Sequence, residues 1–275
     1  MLKPEELQEA ENWIPEKIPA DKPSAARIYD HLLGGYHNFA CDRAVVEQLL
    51  VQYPDMKETA QINRAFLHRA VNYLLEQGIE QFLDLGSGIP TVGNVHQLAQ
   101  AAIPTARVVY VDIDPFAVAH SKTILADNPY AAAIRADVRD TDKILAHPDL
   151  KRLLDFTKPI GLMLVALLHY VIDDAEALRT VNTLKDAISL GSFLTISHPA
   201  QEATPENIDE LHETFKSAQD FNIRSRVQIE QYFSGFESIP PGLVLAPLWR
   251  PESPQDVGMA NPEKSFTLAG IGKKI

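Results

Sequence analysis

Asp84, Gly86, Ser87 and Gly88 lie within Gln81-Phe-Leu-Asp-Leu-Gly-Ser-Gly-Ile-Pro-Thr91, where an apolar run carrying one carboxylate opens at once into a Gly-x-Gly turn. A turn that tight calls for glycine, which adopts positive φ and leaves bare backbone for a ligand to approach. In parallel α/β sheets such turns sit at the carboxyl ends of strands, where ligands bind. The dinucleotide fingerprint would need a third glycine at position 91, where Thr91 stands, and Pro90 has no amide hydrogen to offer a pyrophosphate. The Asp84 carboxylate opposes a diphosphate and suits a cationic or amine-bearing ligand. Further on, Arg107-Val-Val-Tyr-Val-Asp-Ile-Asp-Pro115 reads as a second buried strand ending in Asp112 and Asp114. An acid at that place commonly accepts from ribose hydroxyls, with Ile113 beside it on the same loop. The combination asks for a phosphate-free nucleoside carrying positive charge, and S-adenosylmethionine meets that description. A plain strand–helix turn without a ligand is the alternative. Asp114 reads best as the N-cap of the helix opened by Pro115.

The elements that must position these residues follow from periodicity. Three helices are expected first, over 24–33, 42–51 and 56–77. The last has Ile62, Phe66, Ala70 and Leu74 at four-residue spacing and Gly78 as its stop. Strands over 80–85, 107–112, 131–136, 160–168 and 192–197 alternate with helices over 92–101, 115–126 and 173–188, the βαβ signature of a parallel sheet. Further helices are expected over 204–218 and 228–233. Strand-like runs at 243–248 and 265–271, joined by a Pro-rich loop, suggest an antiparallel pair at one sheet edge. The expected fold is α/β, with a doubly wound, mostly parallel, seven-stranded Rossmann-like sheet under an amino-terminal helical cap. Residues 1–22 form an arm, 23–78 the cap and 79–275 the core. His169 follows Leu162–Leu168 and so should emerge at the carboxyl end of the fourth strand. There it could take a proton from an acceptor, or simply line a pocket.

The ordered set of motifs resembles the class I S-adenosylmethionine-dependent methyltransferases, in particular a bacterial subgroup long catalogued as a domain of unknown function. The segments that carry the resemblance are Tyr29-Asp-His-Leu-Leu-Gly-Gly-Tyr-His-Asn-Phe39, Asn63-Arg-Ala-Phe66, Phe82–Thr91, Val109–Pro115, Ala136-Asp-Val-Arg-Asp140, Leu168-His-Tyr-Val171 and Trp249-Arg-Pro251. They cover roughly residues 22 to 273. The resemblance implies the seven-stranded methyltransferase sheet and places Asp84 near the methionine ammonium. It implies Asp137 at the adenine amino group, with the Val138 amide on a ring nitrogen. Arg64 would face the methionine carboxylate, and Tyr29 and Asn38 would roof the site. A surface arginine, a helix-packing tyrosine and a turn asparagine are the plainer alternatives for the last three.

The formal net charge is −12, and no basic stripe suggests nucleic acid. Cys41 is the only cysteine, which excludes internal disulfides and an iron–sulfur cluster and suits a reducing cytoplasm. No His-x-x-x-His or Cys-x-x-Cys pair exists, so no metal is expected. No run reaches the length of a membrane span, and the amino terminus does not read as a secretory signal. The expected partner is a small-molecule methyl acceptor, with a homodimer compatible and the acceptor atom unspecified. Two other classes share the sheet: a protein that holds S-adenosylmethionine or its demethylated product without turnover, and a nicotinamide-dependent oxidoreductase.

Overall fold

The structure, a computed structural model, describes residues 20–90, 93–203 and 220–275. Thr91, most of the expected arm and the helix expected over 204–218 lie outside the described residues. Three helices come first, α1 (Ala25–Leu32), α2 (Ala40–Gln52) and α3 (Met56–Glu76). Alternation then begins with β1 (Gln81–Leu85), α4 (Val95–Ala102), β2 (Arg107–Asp112), α5 (Pro115–Ile124) and β3 (Ala131–Arg135). Two short helices, α6 (Thr141–Ala146) and α7 (Pro148–Leu153), precede β4 (Gly161–Val165), α8 (Asp174–Ala187) and β5 (Phe193–Pro199). The chain closes with α9 (Arg226–Tyr232), β6 (Phe236–Ser238), β7 (Val244–Leu245) and β8 (Thr267–Lys274).

β1 is buried at every position, and a strand hidden on both faces needs partners on both edges and helices above and below. It pairs in parallel with β2 on one side and β4 on the other; β3 and β5 extend the sheet, also in parallel. The order is β3-β2-β1-β4-β5-β8-β6, seven strands in line, with the two-residue β7 as an eighth pairing with β8. Successive side chains of a strand point to opposite faces. Phe82 therefore packs with the α3 and α4 layer, against Phe66, Leu74 and Val95, while Leu83 and Leu85 pack with the α7 and α8 layer, against Leu150, Val181 and Leu184. Asp84 shares the α3 and α4 face with Phe82, which brings its carboxylate within electrostatic reach of Arg64.

The closing strands differ from the expected edge pair. β8 runs antiparallel to β5 inside the sheet, and β6 forms the edge. A three-residue strand such as β6 leaves too little alternation to be read from sequence, and so do the single-turn helices α6 and α7. The fourth strand is also shorter than expected. Ala166 takes φ +54, a left-handed conformation, so pairing ends at Val165 and Leu168–Tyr170 form one 3-10 turn. His169 stands on that turn rather than on the strand itself.

The cap is built around two buried carboxylates. Asp42 accepts from the Ser24 amide at 2.9 Å, the Phe39 amide at 2.8 Å and Arg27 Nε at 2.7 Å, which joins α1 to α2. Asp30 Oδ2 accepts from the His37 amide at 2.8 Å and from Asn38 Nδ2 at 3.0 Å, and a side chain on Gly35 would run into this carboxylate. The Tyr29–Phe39 motif is thus the last turn of α1 followed by a loop folded back over Asp30. Two other motif segments meet in the core: Phe66 and Tyr73 on α3 pack edge-on to Trp249 at 5.4 and 5.8 Å, and Arg69 Nε donates to the Trp249 carbonyl at 2.9 Å.

Candidate functional site

A cavity of about 520 Å³ opens where the carboxyl ends of β1 to β4 meet the cap. The chain order reverses between β1 and β4, so the crevice lies at the switch point of the doubly wound sheet. Its lining brings together Tyr29, Arg64, Asp84, Gly86, Ser87, Gly88, Asp112, Ile113, Asp137, Val138 and His169. Asn38 is not among the lining residues. Its amide is spent on Asp30 Oδ2 and the Gly35 carbonyl, and its own oxygens accept from Arg43, so it serves the turn rather than a roof.

The glycines have different tasks. Gly86 has φ +71, and a Cβ there would come within 2.5 Å of Leu167 on the loop after β4. It lets two strand-end loops touch across the switch point. Gly88 has φ +65, and a Cβ there would meet nothing within 4 Å. Its bare α-carbon borders open cavity, the cradle a ligand needs. Cross-strand bonds hold the turn: the Gly86 amide donates to the Val111 carbonyl at 2.8 Å, and the Gly88 amide to Asp112 Oδ2 at 2.7 Å. The Asp114 amide donates to Asp112 Oδ1 at 2.9 Å. Each carboxylate oxygen carries two lone pairs, so Asp112 keeps acceptor capacity toward the cavity. Asp114 Oδ1 caps α5 through the Phe116 and Ala117 amides, while its Oδ2 accepts from Ser24 Oγ and ties the cap to this loop.

Burial raises both floor carboxylates. Asp84 is pushed up to about 7, chiefly by desolvation, with Arg64 opposing and Asp112 adding to the rise. Asp112 is pushed up to about 6, again by desolvation, against the backbone donors of Asp114 and Gly88. Two acids that resist ionising in an empty pocket become favourable carboxylates once a cation and hydroxyl donors arrive. Arg64 is no surface arginine: its Nη2 donates to Asn94 Oδ1 at 3.0 Å and the Gly93 carbonyl at 3.3 Å while its side chain lines the cavity. Asp137, at the β3 end, is held below its usual range by Arg139, whose Nε donates to Oδ1 at 2.9 Å. An adenine amino group would therefore share this carboxylate with Arg139.

On the cap side, Tyr29 Oη donates to the Ala60 carbonyl at 3.2 Å and accepts from Asn63 Nδ2 at 3.0 Å. It is at once a packing tyrosine and a wall of the cavity. His169 is buried, with its ring centroid 4.0 Å from that of Tyr170, and its Nδ1 makes no hydrogen bond. Desolvation, reinforced by His198 and Arg224, depresses its pKa well below the ordinary imidazole value, so the ring is neutral at physiological pH. Sequence reasoning passed over Tyr170, Asn63 and Ser24. The first two stand inside the quoted motifs beside His169 and Arg64, which is the signal that could have found them.

These residues suit S-adenosylmethionine: open space over Gly88, two desolvated carboxylates for an ammonium and a diol, and an arginine for a carboxylate. A family model described as S-adenosyl methyltransferase matches residues 11–275. The chain belongs to that family. Its cofactor is S-adenosylmethionine, and its fold is the Rossmann-like methyltransferase fold. A crystal structure of a protein assigned as a methyltransferase from Thermobifida fusca YX is 42% identical, with TM-score 0.88, covering 96% of this chain and 99% of that one. A DUF574 family protein from Streptomyces avermitilis MA-4680 is 32% identical, also with TM-score 0.88, covering 94% of this chain and 100% of that one. An O-methyltransferase family protein from Burkholderia thailandensis, 14% identical with TM-score 0.52 over 80% of this chain and 59% of that one, shares the fold. No curated protein matches the chain. Among the described residues, no helix is long and apolar enough to cross a membrane, and no group of three or more His, Cys, Asp or Glu is placed to hold a metal ion.

Proposed function

We propose that this family member transfers the methyl group of S-adenosylmethionine to a small molecule seated between the sheet and the cap. When bound, the donor supplies an electrophilic methyl carbon on a positively charged sulfur. Asp112 accepts from the ribose hydroxyls, and Ile113, exposed at the cavity rim, covers one face of the base. Asp137 and the Val138 amide address the adenine edge. Asp84 balances the ammonium, directly or through water, and Arg64 faces the carboxylate. Gly86 to Gly88 bring backbone close enough for these contacts.

His169 would take the proton an acceptor hydroxyl or amine gives up as its lone pair forms the new bond to carbon and the carbon–sulfur bond breaks. Its neutral ring is ready to accept, but its depressed pKa makes it a weak base. Most of the rate then comes from holding the acceptor in line, where orientation alone supplies effective molarities on the order of 10⁵ M or more. The observation that carries the reading is the pair of cavity-lining acids, the buried Asp84 and the half-buried Asp112, set on neighbouring strand ends beside one glycine turn and both raised in pKa.

Calorimetric titration with S-adenosylmethionine, S-adenosylhomocysteine and NAD tests it. The two adenosyl compounds should bind, and Asp112→Ala should weaken both by about 1–3 kcal/mol, the scale of lost charge-assisted hydrogen bonds. Binding of NAD alone, or unchanged affinity in the variant, would overturn the placement.

A further inference from the structure

The cavity is divided by charge. Its charged side chains, Arg64, Asp84, Asp112, Asp114, Asp137 and Arg139, all belong to the strand ends and the α3 face that the donor would use. The remainder, beneath the cap, is walled by Leu32, Met56, Ala60, Phe221, Ile223 and Phe266, with no charged side chain among the described residues. Its polar groups are mostly engaged: the Thr59 hydroxyl donates to the Lys264 carbonyl at 3.2 Å, and Tyr29 Oη both donates and accepts. The exception is His169, which lines the cavity while its Nδ1, itself shut off from the open space, has no hydrogen-bond partner.

Resting on the donor assignment above, we infer that the methyl acceptor is an uncharged, predominantly apolar molecule, with one hydroxyl or amine directed toward His169. An ion placed under the cap would lose its hydration and find no counter-charge among the described residues, a cost large enough to exclude it or force it to neutralise. An apolar body gains from the same desolvation. A single polar group there would meet the His169 ring, which lines the cavity.

The test uses the full chain saturated with S-adenosylhomocysteine, a loading that is measured first. Three probes of one shape are then titrated calorimetrically at neutral pH: 2-naphthol, 2-naphthoate and 2-naphthylmethylammonium. The neutral probe should bind at least ~10-fold tighter than either ion. Met56→Glu places a carboxylate on that wall at the first residue of α3, where an acid is compatible with the helix end. In that variant the preference should move to the ammonium probe with loading unchanged, while Met56→Leu should keep the original order. Failure of S-adenosylhomocysteine to load would refute the donor assignment instead. If the protein loads and either ion binds as well as 2-naphthol, or no probe binds up to millimolar concentration, the acceptor inference is wrong.

Discussion

Ser197 at the end of β5 donates its hydroxyl to Asn63 Oδ1 on α3 at 2.6 Å and accepts the Ala166 amide at 2.9 Å. Asn63 passes the connection on to Tyr29, so one buried chain of hydrogen bonds runs from the loop after β4 to the cap. The chain also holds Ala166 at φ +54, a conformation that costs a residue with a Cβ about 1–2 kcal/mol. A cavity wall is thereby fixed by residues far apart in sequence.

Ser197→Ala should therefore leave a buried amide oxygen unpaired and lower unfolding stability by about 1–3 kcal/mol, read from denaturant midpoints. Ala166→Gly relieves the backbone and should be neutral or stabilising at rest. A Ser197→Ala protein as stable as the parent would show that this network does not hold the loop.

Asp84 allows a pH prediction with a definite sign. Its folded pKa is raised to about 7, opposite to the usual shift of an aspartate. The folded state therefore binds the extra proton between the unfolded value and about 7, and the penalty for a buried charge is complete only above that range. Asp84→Asn should raise the melting temperature of the donor-free protein above neutral pH, with the gain fading toward pH 4. Binding of the cationic donor to the parent should release a proton and weaken as pH falls from about 8 to 5.5. Calorimetry in buffers of different ionisation enthalpy detects that proton, and Asp84→Asn should diminish it, leaving the smaller release that Asp112, raised to about 6, contributes at the acid end.

The two glycines should separate stability from binding. Gly86→Ala combines positive φ with a collision at Leu167, and it should destabilise the fold by roughly 2 kcal/mol or more. Gly88→Ala bears only the backbone strain, about 1–2 kcal/mol, because its methyl enters open cavity. That variant should fold and yet bind S-adenosylhomocysteine at least ~10-fold more weakly. Equal loss of binding and stability in both would mean that Gly88 does not border the ligand.

His169 and His198 should both remain neutral on acidification. Burial lowers His169 well below its ordinary value and His198 to about 3, with Arg224 adding to both shifts. Nitrogen-15 spectra of histidine-labelled protein should show these two rings unchanged from pH 8 down to about 5. An imidazolium signal for His169 near pH 6.5 would contradict the burial argument.

The turn and strand ends proposed to hold the donor were legible in the residues, because they are local features. Asp84, Gly86 and Gly88 act within one strand and its turn, Asp112 closes the next strand, and alternation and glycine chemistry are properties of neighbouring residues. That the sheet is mostly parallel followed from the regular alternation of strands and helices, while the strand order did not. The acceptor half depends on contacts that no spacing announces. Asn38 and Tyr29 share one motif, yet only folding showed that the asparagine serves the Asp30 loop while the tyrosine faces the cavity. The place of β8 inside the sheet, the turn that carries His169 and the bond from Ser197 to Asn63 arise from segments up to 134 residues apart meeting in a packed interior. Local sequence sets which conformations each segment favours, but only tertiary packing decides which buried polar groups find one another, since each must be satisfied where water is excluded.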